Sequence, residues 1–565
     1  MTRKILTLTL ALVMVLGIAL TGCSGNSGNS TTAATTAATT AAGTTAAGTT
    51  AADTTAADTT AADTTAAAGT EALDPVTLTW YNTSDAFRND KSELNLEVAD
   101  ALNAYFQEQV NATVDWKWVG WADYNEKTTA AVNAGQQVDI LFTSMTTFPF
   151  AVWQKRGAFA DLTDLLQTYG SETYTSIPDW VWKAASVDGR IYAMPTYKDV
   201  AVNHPLIYNK TLLQETGLED ELLNLEWSVV PDLSEFFYKV KEARDAAHPE
   251  WANDPLMKLP DYSSGRTLSP YIQGDELTAG VWTSIPGTTS LAGDEYANGT
   301  KAVNIFTTKD YVDGMLTNKQ WVADNISPYD QTNWDTEGEI QKSGSMIGSI
   351  SWGVVSVNED EKENYKQGIV QPLTSFTYTG YPQAVMQAIG GFSENPERAM
   401  MVLNLVFSDT YVSTSLRFGV EGKGWNRITI DGVERAGFAG TYNEDPTKRS
   451  TDGFYLWYHA EQGNLFSCLL PEDQADDFYV NLEAMNDSAA VSPNLGFLFD
   501  TTNVENEVAA VSGVIAEYQS DIFYGMLDDV EGRINDFVEK LNANGIEKIV
   551  AEAQTQLDAW RATNG

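Results

Sequence analysis

The sequence predicts an α/β fold built as two lobes, and three observations lead to that prediction. Strand and helix patterns alternate at short spacing from residue 76 onward. About 495 residues follow the low-complexity tract near the N-terminus, which is too long for one compact unit. The sequence shows no long second linker within them, so we expect interleaved lobes with the chain crossing between them more than once.

The first elements are three strand patterns separated by two helix patterns. Apolar and polar residues alternate in the first strand, as in a half-buried strand, and Ser92 precedes the first helix. The strands are VTLTWYN (76–82), TVDWKWV (113–119) and VDILFTS (138–144), and the second helix is YNEKTTAAVNAG (124–135). This order predicts parallel βαβ units with right-handed crossovers, whose ligands bind beyond the carboxyl ends of the strands.

The remaining patterns predict further strands and helices along the chain. A helix begins at Pro396 with Asn395 as its cap, and the chain closes with an amphipathic helix from residue 546 to 560. Strands are predicted in GRIYAMPTYKD (189–199), PLIYN (205–209) and KSGSMIGSISWG (342–353).

The N-terminus has the composition of a secretory signal. Arg3 and Lys4 precede an apolar run, residues 5–20, which is shorter than the roughly 20 residues that span a bilayer. Cys23 follows Gly22 directly, as in bacterial lipoprotein signals, where the cysteine becomes the lipidated first residue. The alternative is an incidental cysteine near an ordinary cleavage site. We expect a signal peptide over 1–22 and lipidation at Cys23.

A flexible tether is predicted after the anchor, within residues 23–74. Residues 31–70 contain only Thr, Ala, Gly and Asp, so they have almost nothing to bury and cannot offset the entropy of ordering. Threonine pairs disfavour an alanine-rich helix. The folded domain is therefore predicted over 75–565.

Charge and composition exclude several classes of function. The chain has 34 basic and 77 acidic residues, a formal net charge of −43, and phosphate backbones repel such a surface. Nucleic acid is therefore not an expected partner. With three histidines, and with Cys468 as the only cysteine besides Cys23, neither a disulfide framework nor a Cys/His metal cluster is expected, and no cofactor is predicted.

Several segments, in their order along the chain, resemble the extracellular solute-binding proteins of ABC importers, family 1, the type associated with sugars and oligosaccharides. The C-terminal part, from GFLFDTTNVENEVAAVSGVIAEY to the last helix, resembles a longer lipoprotein branch of that family. The segments that carry the resemblance are DYNEKTTAAVNAGQQVDILFTS, KRGAFADLTDLL, VDGRIYAMPTY, KSGSMIG, NPERAMMVLNLVFSD and GVEGKGWNR.

The resemblance implies a type II periplasmic-binding-protein-like fold, with two α/β lobes, a hinge and a ligand cleft between the lobes. We place one lobe at about 75–196 plus 371–420 and the other at about 197–370 plus 421–565. The implied partners are a carbohydrate ligand, expected to be an oligosaccharide, and the permease subunits of an ABC importer. The implied protein is a monomer anchored by lipid to the extracellular face of the bacterial cytoplasmic membrane.

Candidate ligand contacts are polar and aromatic residues at or after the strand ends. Aromatic rings can pack on the C–H faces of sugars, whereas Asn, Ser and Lys side chains can bond to hydroxyls. Trp80 shares a strand face with Val76 and Leu78, and Trp116 and Trp118 share one face of the second strand, so all three are assigned to the core. The predicted contacts are Tyr81, Asn82, Trp121 and Ser144 on the first lobe, Tyr197 and Lys198 near a crossing, and Trp352 and Trp425 on the facing side.

Two other classes of function, a glycoside hydrolase and a surface adhesin or receptor, are alternatives to ligand import. A glycoside hydrolase would need two carboxyl groups about 5–9.5 Å apart, but a chain with 77 acidic residues always offers such pairs, and the sequence contains no common hydrolase motif. A surface adhesin or receptor would bind glycans without feeding a transporter. We therefore expect a binding protein without enzymatic activity.

Overall fold

The computed structural model describes residues 73–83, 92–258, 268–327, 343–351, 353, 365–449, 451–456, 463–525 and 527–564. The expected signal peptide, Cys23, almost all of the tether and Trp352 lie outside these residues. Helices and strands alternate along most of the described chain, which confirms the α/β class.

The helices are α1 (Ser92–Val110), α2 (Trp121–Asn133), α3 (Phe150–Lys155), α4 (Thr163–Tyr169), α5 (Ser171–Ser176), α6 (Asp179–Ala184), α7 (Lys210–Thr216), α8 (Glu219–Leu223), α9 (Ser234–Ala247), α10 (Lys309–Ala323), α11 (Pro396–Ser408), α12 (Thr410–Phe418), α13 (Phe478–Asp487), α14 (Glu505–Phe523), α15 (Val530–Ala543) and α16 (Ile546–Asn564).

The strands are β1 (Val76–Thr83), β2 (Ala112–Val119), β3 (Ile140–Thr143), β4 (Ser186–Val187), β5 (Arg190–Ile191), β6 (Met194–Pro195), β7 (Leu206–Asn209), β8 (Met257–Lys258), β9 (Gly274–Thr278), β10 (Val281–Ser284), β11 (Val303–Asn304), β12 (Gly348–Ile350), β13 (Gln367–Val370), β14 (Phe376–Thr377), β15 (Met386–Ile389), β16 (Asn426–Ile430), β17 (Val433–Gly437), β18 (Leu470–Pro471) and β19 (Ala490–Val491).

The first lobe is built on a five-stranded sheet with the order β2-β1-β3-β15-β6. β1 runs parallel to β2 and β3, as predicted, whereas β15 runs antiparallel to both of its neighbours. The alternation in β1 turns Leu78 and Trp80 into the core, where both are fully buried. The Trp80 ring stacks on Trp116 with ring centroids 4.8 Å apart. Helix α1 covers this core with Val98, Leu102 and other apolar residues.

The second lobe has a separate core. Its sheets are β13-β7-β12-β8 and β11-β10-β9. The helices α7 to α10 and the three C-terminal helices α14 to α16 contribute buried residues to this core, among them Phe237, Trp321, Phe537 and Ile549, and Trp227 joins them from the segment between α8 and α9. The predicted amphipathic helix at the end of the chain is confirmed as α16, and its apolar face packs into this second core.

Three segments cross between the two cores: the first crossing contains Val202, the second contains β14 and the third contains β19. They lie side by side, because β14 pairs in parallel with β19 and Val202 of the first crossing pairs with Phe376 of the second. Val202, Phe376 and Tyr381 share a small apolar cluster with Ala490 of the third crossing packed against it.

Contacts after residue 420 depart from the predicted lobe boundary. Residues 421–456 were expected in the second lobe, but Phe454 is buried in the first core and Trp425 packs beside Tyr411 of α12. The Cys468 thiol, also buried, donates to the Ser413 carbonyl oxygen at 3.0 Å. This part of the chain therefore packs against α12, on the side of the first core.

The cap of α11 also differs from its prediction. Asn395 stands at the N-cap position and Pro396 at the first helical position, as expected, but the Asn395 side chain makes no capping hydrogen bond. Its backbone N–H instead donates to the Ser393 hydroxyl at 3.1 Å.

Replacing Asn486 with alanine should destabilise the folded chain by about 2–3 kcal/mol, because buried backbone groups would lose their partners. Asn486 Oδ1 accepts the N–H groups of Val200 and Ala201 at 3.2 Å each, and Nδ2 donates to the Lys198 carbonyl oxygen at 2.6 Å. Urea unfolding followed by circular dichroism measures the change. The control is Asn481→Ala, at an exposed position of the same helix α13. Equal stability of the two variants would contradict this role for Asn486.

Candidate ligand-binding site

The carboxyl ends of β1, β2 and β3 meet at one edge of the first lobe's sheet, where the ligand site was predicted. Tyr124 of α2 is fully buried and joins two of these ends. Its hydroxyl oxygen lies 3.0 Å from the carbonyl oxygen of Tyr81 and 2.9 Å from that of Phe142, so it can donate to either. It also accepts the Phe142 N–H at 2.9 Å. The hydroxyl therefore fixes α2 and both strand ends to one another.

Trp121 is the predicted contact that offers the most accessible ring at this edge. It is the first residue of α2, directly after β2, and 38% of it is exposed. Its ring packs against the Phe142 ring in a T-shaped arrangement, with the ring planes at 90° and the centroids 5.4 Å apart. Phe142 is fully buried in β3, so the packing supports the Trp121 ring while leaving part of it open to solvent.

Tyr81 and Asn82 lie at the end of β1, as predicted. Tyr81 is half-buried and packs against the cluster that contains Tyr124 and Phe142. Asn82 is fully buried, and its Oδ1 accepts the N–H of Thr83 at 3.0 Å. The structure thus brings both residues to the edge beside Trp121, with Asn82 already holding the end of its own strand.

The Ser144 side chain is engaged in its own loop, in contrast to the predicted ligand contact. Its hydroxyl accepts the N–H groups of Thr146 at 3.1 Å and Thr147 at 2.8 Å. Phe148 closes the loop with a positive φ of 46°, and its carbonyl oxygen accepts the Thr143 hydroxyl at 2.6 Å. Ser144 therefore shapes the turn after β3.

Met145 is a residue of this edge that the sequence analysis missed. It is 38% exposed, and its N–H donates to the Gln383 carbonyl oxygen of the second crossing at 2.9 Å. A Cβ built on Gly380 would lie 3.2 Å from Met145 Cε, so the two segments touch. The sequence feature that could have pointed to this contact is FTYTGYP, residues 376–382, an aromatic-rich stretch that does not follow a predicted strand.

Tyr197 is a core residue in this structure, and Lys198 is largely enclosed. Tyr197 is 3% exposed and its ring lies 5.0 Å from that of Phe466. Burial, with Asp487 and Glu483 nearby, raises the pKa of Tyr197 to about 12. The Lys198 side chain is 13% exposed and forms an ion pair with Asp199. Neither residue presents the open contact surface that was predicted.

Trp352 and Trp425 have different outcomes. Trp352 lies outside the described residues, but its neighbours are fixed to the first crossing: the Ser351 N–H donates to the Pro205 carbonyl oxygen and the Gly353 N–H to that of Asn203. Trp425 is fully buried, and its Nε1 donates to the Gly419 carbonyl oxygen at 2.9 Å. The structure gives Trp425 a core role, in contrast to the predicted ligand contact.

A buried histidine supports the segment that contains Trp352. His204 Nε2 lies 2.9 Å from the Ser269 hydroxyl and Nδ1 lies 3.4 Å from the Ser351 carbonyl oxygen. Burial lowers the pKa of His204 to about 3, so the ring is neutral at physiological pH. A neutral ring with its proton on Nδ1 satisfies both contacts. His204 therefore positions Ser351 and carries no charge toward a ligand.

Replacing Tyr124 with phenylalanine should destabilise the fold by about 1–3 kcal/mol, because the buried Phe142 N–H loses the acceptor described above. The carboxyl ends of β1 and β3 would also lose their common tie. Urea unfolding measures the stability, and Tyr169→Phe, at a half-buried tyrosine of α4, is the control. A Tyr124→Phe variant as stable as the control would exclude this role for the hydroxyl.

Two family models match separate parts of the chain. A model described as "Bacterial extracellular solute-binding protein" matches residues 101–367, and one described as a domain of unknown function matches residues 493–562. Residues 101–367, just under half of the chain, are thus similar to the bacterial extracellular solute-binding proteins.

Three similar proteins come from Streptococcus pneumoniae. A carbohydrate ABC transporter substrate-binding protein is 26% identical over 481 residues, covering 83% of this chain and 89% of that protein. The crystal structure of an N-glycan transport solute-binding protein is 23% identical, with a TM-score of 0.67, covering 87% of this chain and 100% of that one. An ABC-transporter substrate-binding protein in complex with kestose is 13% identical, with a TM-score of 0.53, covering 86% and 99%. These structures confirm the predicted two-lobed fold.

No helix among the described residues is long and apolar enough to cross a membrane. Within the same residues, no group of three or more His, Cys, Asp or Glu side chains is arranged to hold a metal ion.

Proposed function

We propose that this solute-binding protein captures a carbohydrate, of oligosaccharide size, between its two lobes and delivers it to the permease subunits of an ABC importer. The observation that carries the proposal is the Trp121 ring, which is partly exposed just after β2 and packs on Phe142 of β3. The names of two relatives, a carbohydrate ABC transporter substrate-binding protein and an N-glycan transport solute-binding protein, support the same ligand class.

The chemistry of this edge suits a sugar ring. The negative face of an aromatic ring attracts weakly positive C–H groups, so Trp121 can pack on one face of a pyranose. Backbone and side-chain polar groups of Asn82 and of the loop after Ser144 lie at the same edge. A ligand that closes the lobes must bind the closed form more tightly than the open form, so contacts from the second lobe are required as well. Trp352 stays our candidate for that side.

A glycan panel tests the proposal. Neutral oligosaccharides of different linkage are screened by thermal shift against the purified protein, and hits are measured by calorimetry and checked for cleavage by chromatography. A ligand that binds only the folded state raises its stability by about 2.7 kcal/mol at a hundredfold excess over Kd. We expect at least one glycan to bind and to remain uncleaved. Cleavage would favour a glycosidase, and a panel without hits would contradict carbohydrate capture.

Trp121→Ala then tests the site itself. Loss of the ring should weaken binding of the identified glycan by about 1–3 kcal/mol without unfolding the protein, because only a partly exposed side chain is removed. The control is Trp251→Ala, at a half-buried tryptophan that stacks on His248 with ring centroids 3.9 Å apart. Equal glycan affinity in both variants would remove Trp121 from the site but leave the transport function open.

The lipid anchor is the second part of the proposal. Gly22–Cys23 after a charged start and an apolar run supports lipidation at Cys23, with palmitate as one of the acyl chains, and the Thr/Ala-rich tract supports a tether on the extracellular face. Cys23→Ala should release the protein from membrane fractions or leave the precursor unprocessed. Immunoblots of membrane and soluble fractions measure this, with Ser27→Ala as the control. A Cys23→Ala protein that still fractionates as mature, membrane-bound protein would contradict the anchor.

The protein is proposed to act as a monomer, as the family resemblance implies. Light scattering behind size-exclusion chromatography tests this directly. The precursor chain has a mass of 61.7 kDa, and removal of the signal peptide makes the mature monomer lighter. A measured mass near twice that of the mature chain would contradict the monomer.

A further inference from the structure

A cavity of about 490 Å³ lies away from the strand ends that form the candidate site. Its volume falls within the range of about 300–1,000 Å³ that is usual for small-molecule sites. None of Tyr81, Asn82, Trp121 or Ser144 lines it. The cavity is therefore a second concave site, separate from the edge at which the transported ligand is proposed to bind.

The walls of this cavity come from both lobes. The first lobe contributes α5, α6 and the turn between β4 and β5. The opposite wall is formed by Leu495 and Gly496 of the third crossing and by Trp560 of α16. These three residues lie within residues 493–562, the part matched by the domain of unknown function. The end of α16 thus reaches from the second core to the first lobe.

The aromatic side chains of the cavity are held by contacts of their own. Trp182 is 3% exposed, and its Nε1 donates to the Tyr174 carbonyl oxygen at 3.1 Å. The Trp560 ring packs on Phe497 with centroids 5.8 Å apart. The Lys183 ammonium lies 6.0 Å from the Trp560 ring centroid, at the outer limit of a cation–π contact. The Trp560 ring, which is half-buried and fixed in this way, presents a surface on which a ligand can pack without ordering the ring first.

The turn between β4 and β5 sets a carboxylate at the cavity. Asp188 and Gly189 have φ values of 51° and 76°, the positive pair expected of an Asp-Gly hairpin turn. Flanking this turn, Arg190 forms an ion pair with Asp161. The backbone therefore holds Asp188 at the rim.

The charged groups of the cavity are open to a ligand. Asp179, Lys183 and Asp188 line it and are exposed. Asp179 and Lys183 are four residues apart on α6, yet among the described residues none of the three has an ion-pair partner within 4 Å. Two acceptor groups and one donor, together with the Asn564 amide and the half-buried rings of Tyr174 and Trp560, form the lining that a neutral polyhydroxylated ligand needs. The excess of carboxylates disfavours an anion.

We propose that this cavity is a second saccharide-binding site, which takes a single neutral sugar ring between Trp560 of the C-terminal helix and the first lobe. Because its walls come from both lobes, a sugar bound there has different affinity for different lobe separations and biases the same closure that the transported ligand uses. The C-terminal part of the chain thereby acquires a role as one wall of a ligand site.

Saturation-transfer difference NMR on the purified full chain tests the site, with methyl α-mannoside and methyl β-N-acetylglucosaminide as probes. Trp560→Ala and Asp188→Ala should each weaken binding of a probe by roughly tenfold, which corresponds to the loss of one good contact. Asp431→Ala is the matched control for Asp188→Ala, because Asp431 and Gly432 form another Asp-Gly turn with positive φ values of 50° and 85°. Trp251→Ala is the control for Trp560→Ala.

Trp121→Ala separates this inference from the proposed function. Probe binding that survives Trp121→Ala but is lost in both cavity variants supports the second site. Binding that is lost in Trp121→Ala and survives in the cavity variants places the probes at the strand ends, which overturns the second site and leaves the proposed function intact. Spermidine is added as a cationic probe. If spermidine binds to the cavity and neither sugar does, or if no probe binds at all, the second saccharide site is also overturned.

Discussion

Trp425→Ala is expected to lower the free energy of unfolding by about 3–5 kcal/mol, the usual cost of removing a large buried aromatic side chain. Trp425 is fully buried in a cluster with Phe418, Phe438 and Leu469. Its indole N–H donates to the Gly419 carbonyl oxygen, which would lose that partner. Ligand affinity of the protein that remains folded should stay within about a factor of two, because the ring has no exposed face.

Two controls make this prediction specific. Trp425→Phe keeps most of the ring and loses mainly the hydrogen bond, so its cost should be smaller, about 1–3 kcal/mol. Trp251→Ala removes a half-buried ring elsewhere. Urea unfolding by circular dichroism gives the stabilities, and calorimetry with a glycan from the panel gives the affinities. A stable Trp425→Ala protein with much weaker glycan binding would restore the sequence-based assignment and contradict the packing.

The contrast between Trp425 and Trp121 shows what the sequence could predict about the site. Both tryptophans stand beside glycine-containing turns and polar residues, so local pattern gives them equal claims. Burial is decided by distant contacts: Trp425 meets Phe438 and Leu469 from later segments, whereas Trp121 packs on Phe142 and remains 38% exposed. Such contacts leave no periodic signal in either local segment.

The same reasoning applies to the fold. The parallel strands β1, β2 and β3 were predictable, because alternation and short βαβ spacing are local features. The insertion of β15 between β3 and β6 was not, because it joins residues more than 190 positions apart in sequence. The packing of residues 421–456 with the first core was also missed, since the resemblance gives the order of segments but not the partner of each surface.

Gly348→Ala is expected to destabilise the second lobe by about 3–5 kcal/mol, through a steric overlap and a backbone conformation unsuited to alanine. Gly348 begins β12, where it pairs with Tyr208 of β7 and Met257 of β8. A Cβ built on Gly348 would lie 1.9 Å from the Ile207 carbonyl oxygen, and φ is 147°. Because the overlapped oxygen belongs to the backbone of β7 in the same sheet, the overlap is relieved only if β12 moves away from β7.

Gly293→Ala separates the two causes. Gly293 has a φ of 130° and no atom within 4 Å of the built Cβ, so its substitution carries the conformational strain without the overlap. We expect Gly348→Ala to unfold at clearly lower urea concentration than Gly293→Ala. A displaced β12 would also move Ser351 and its bond to Pro205, so glycan affinity should fall in the folded fraction of Gly348→Ala alone. If both variants have equal stability and affinity, the close approach of β7 to Gly348 neither supports the second lobe nor positions the segment that contains Trp352.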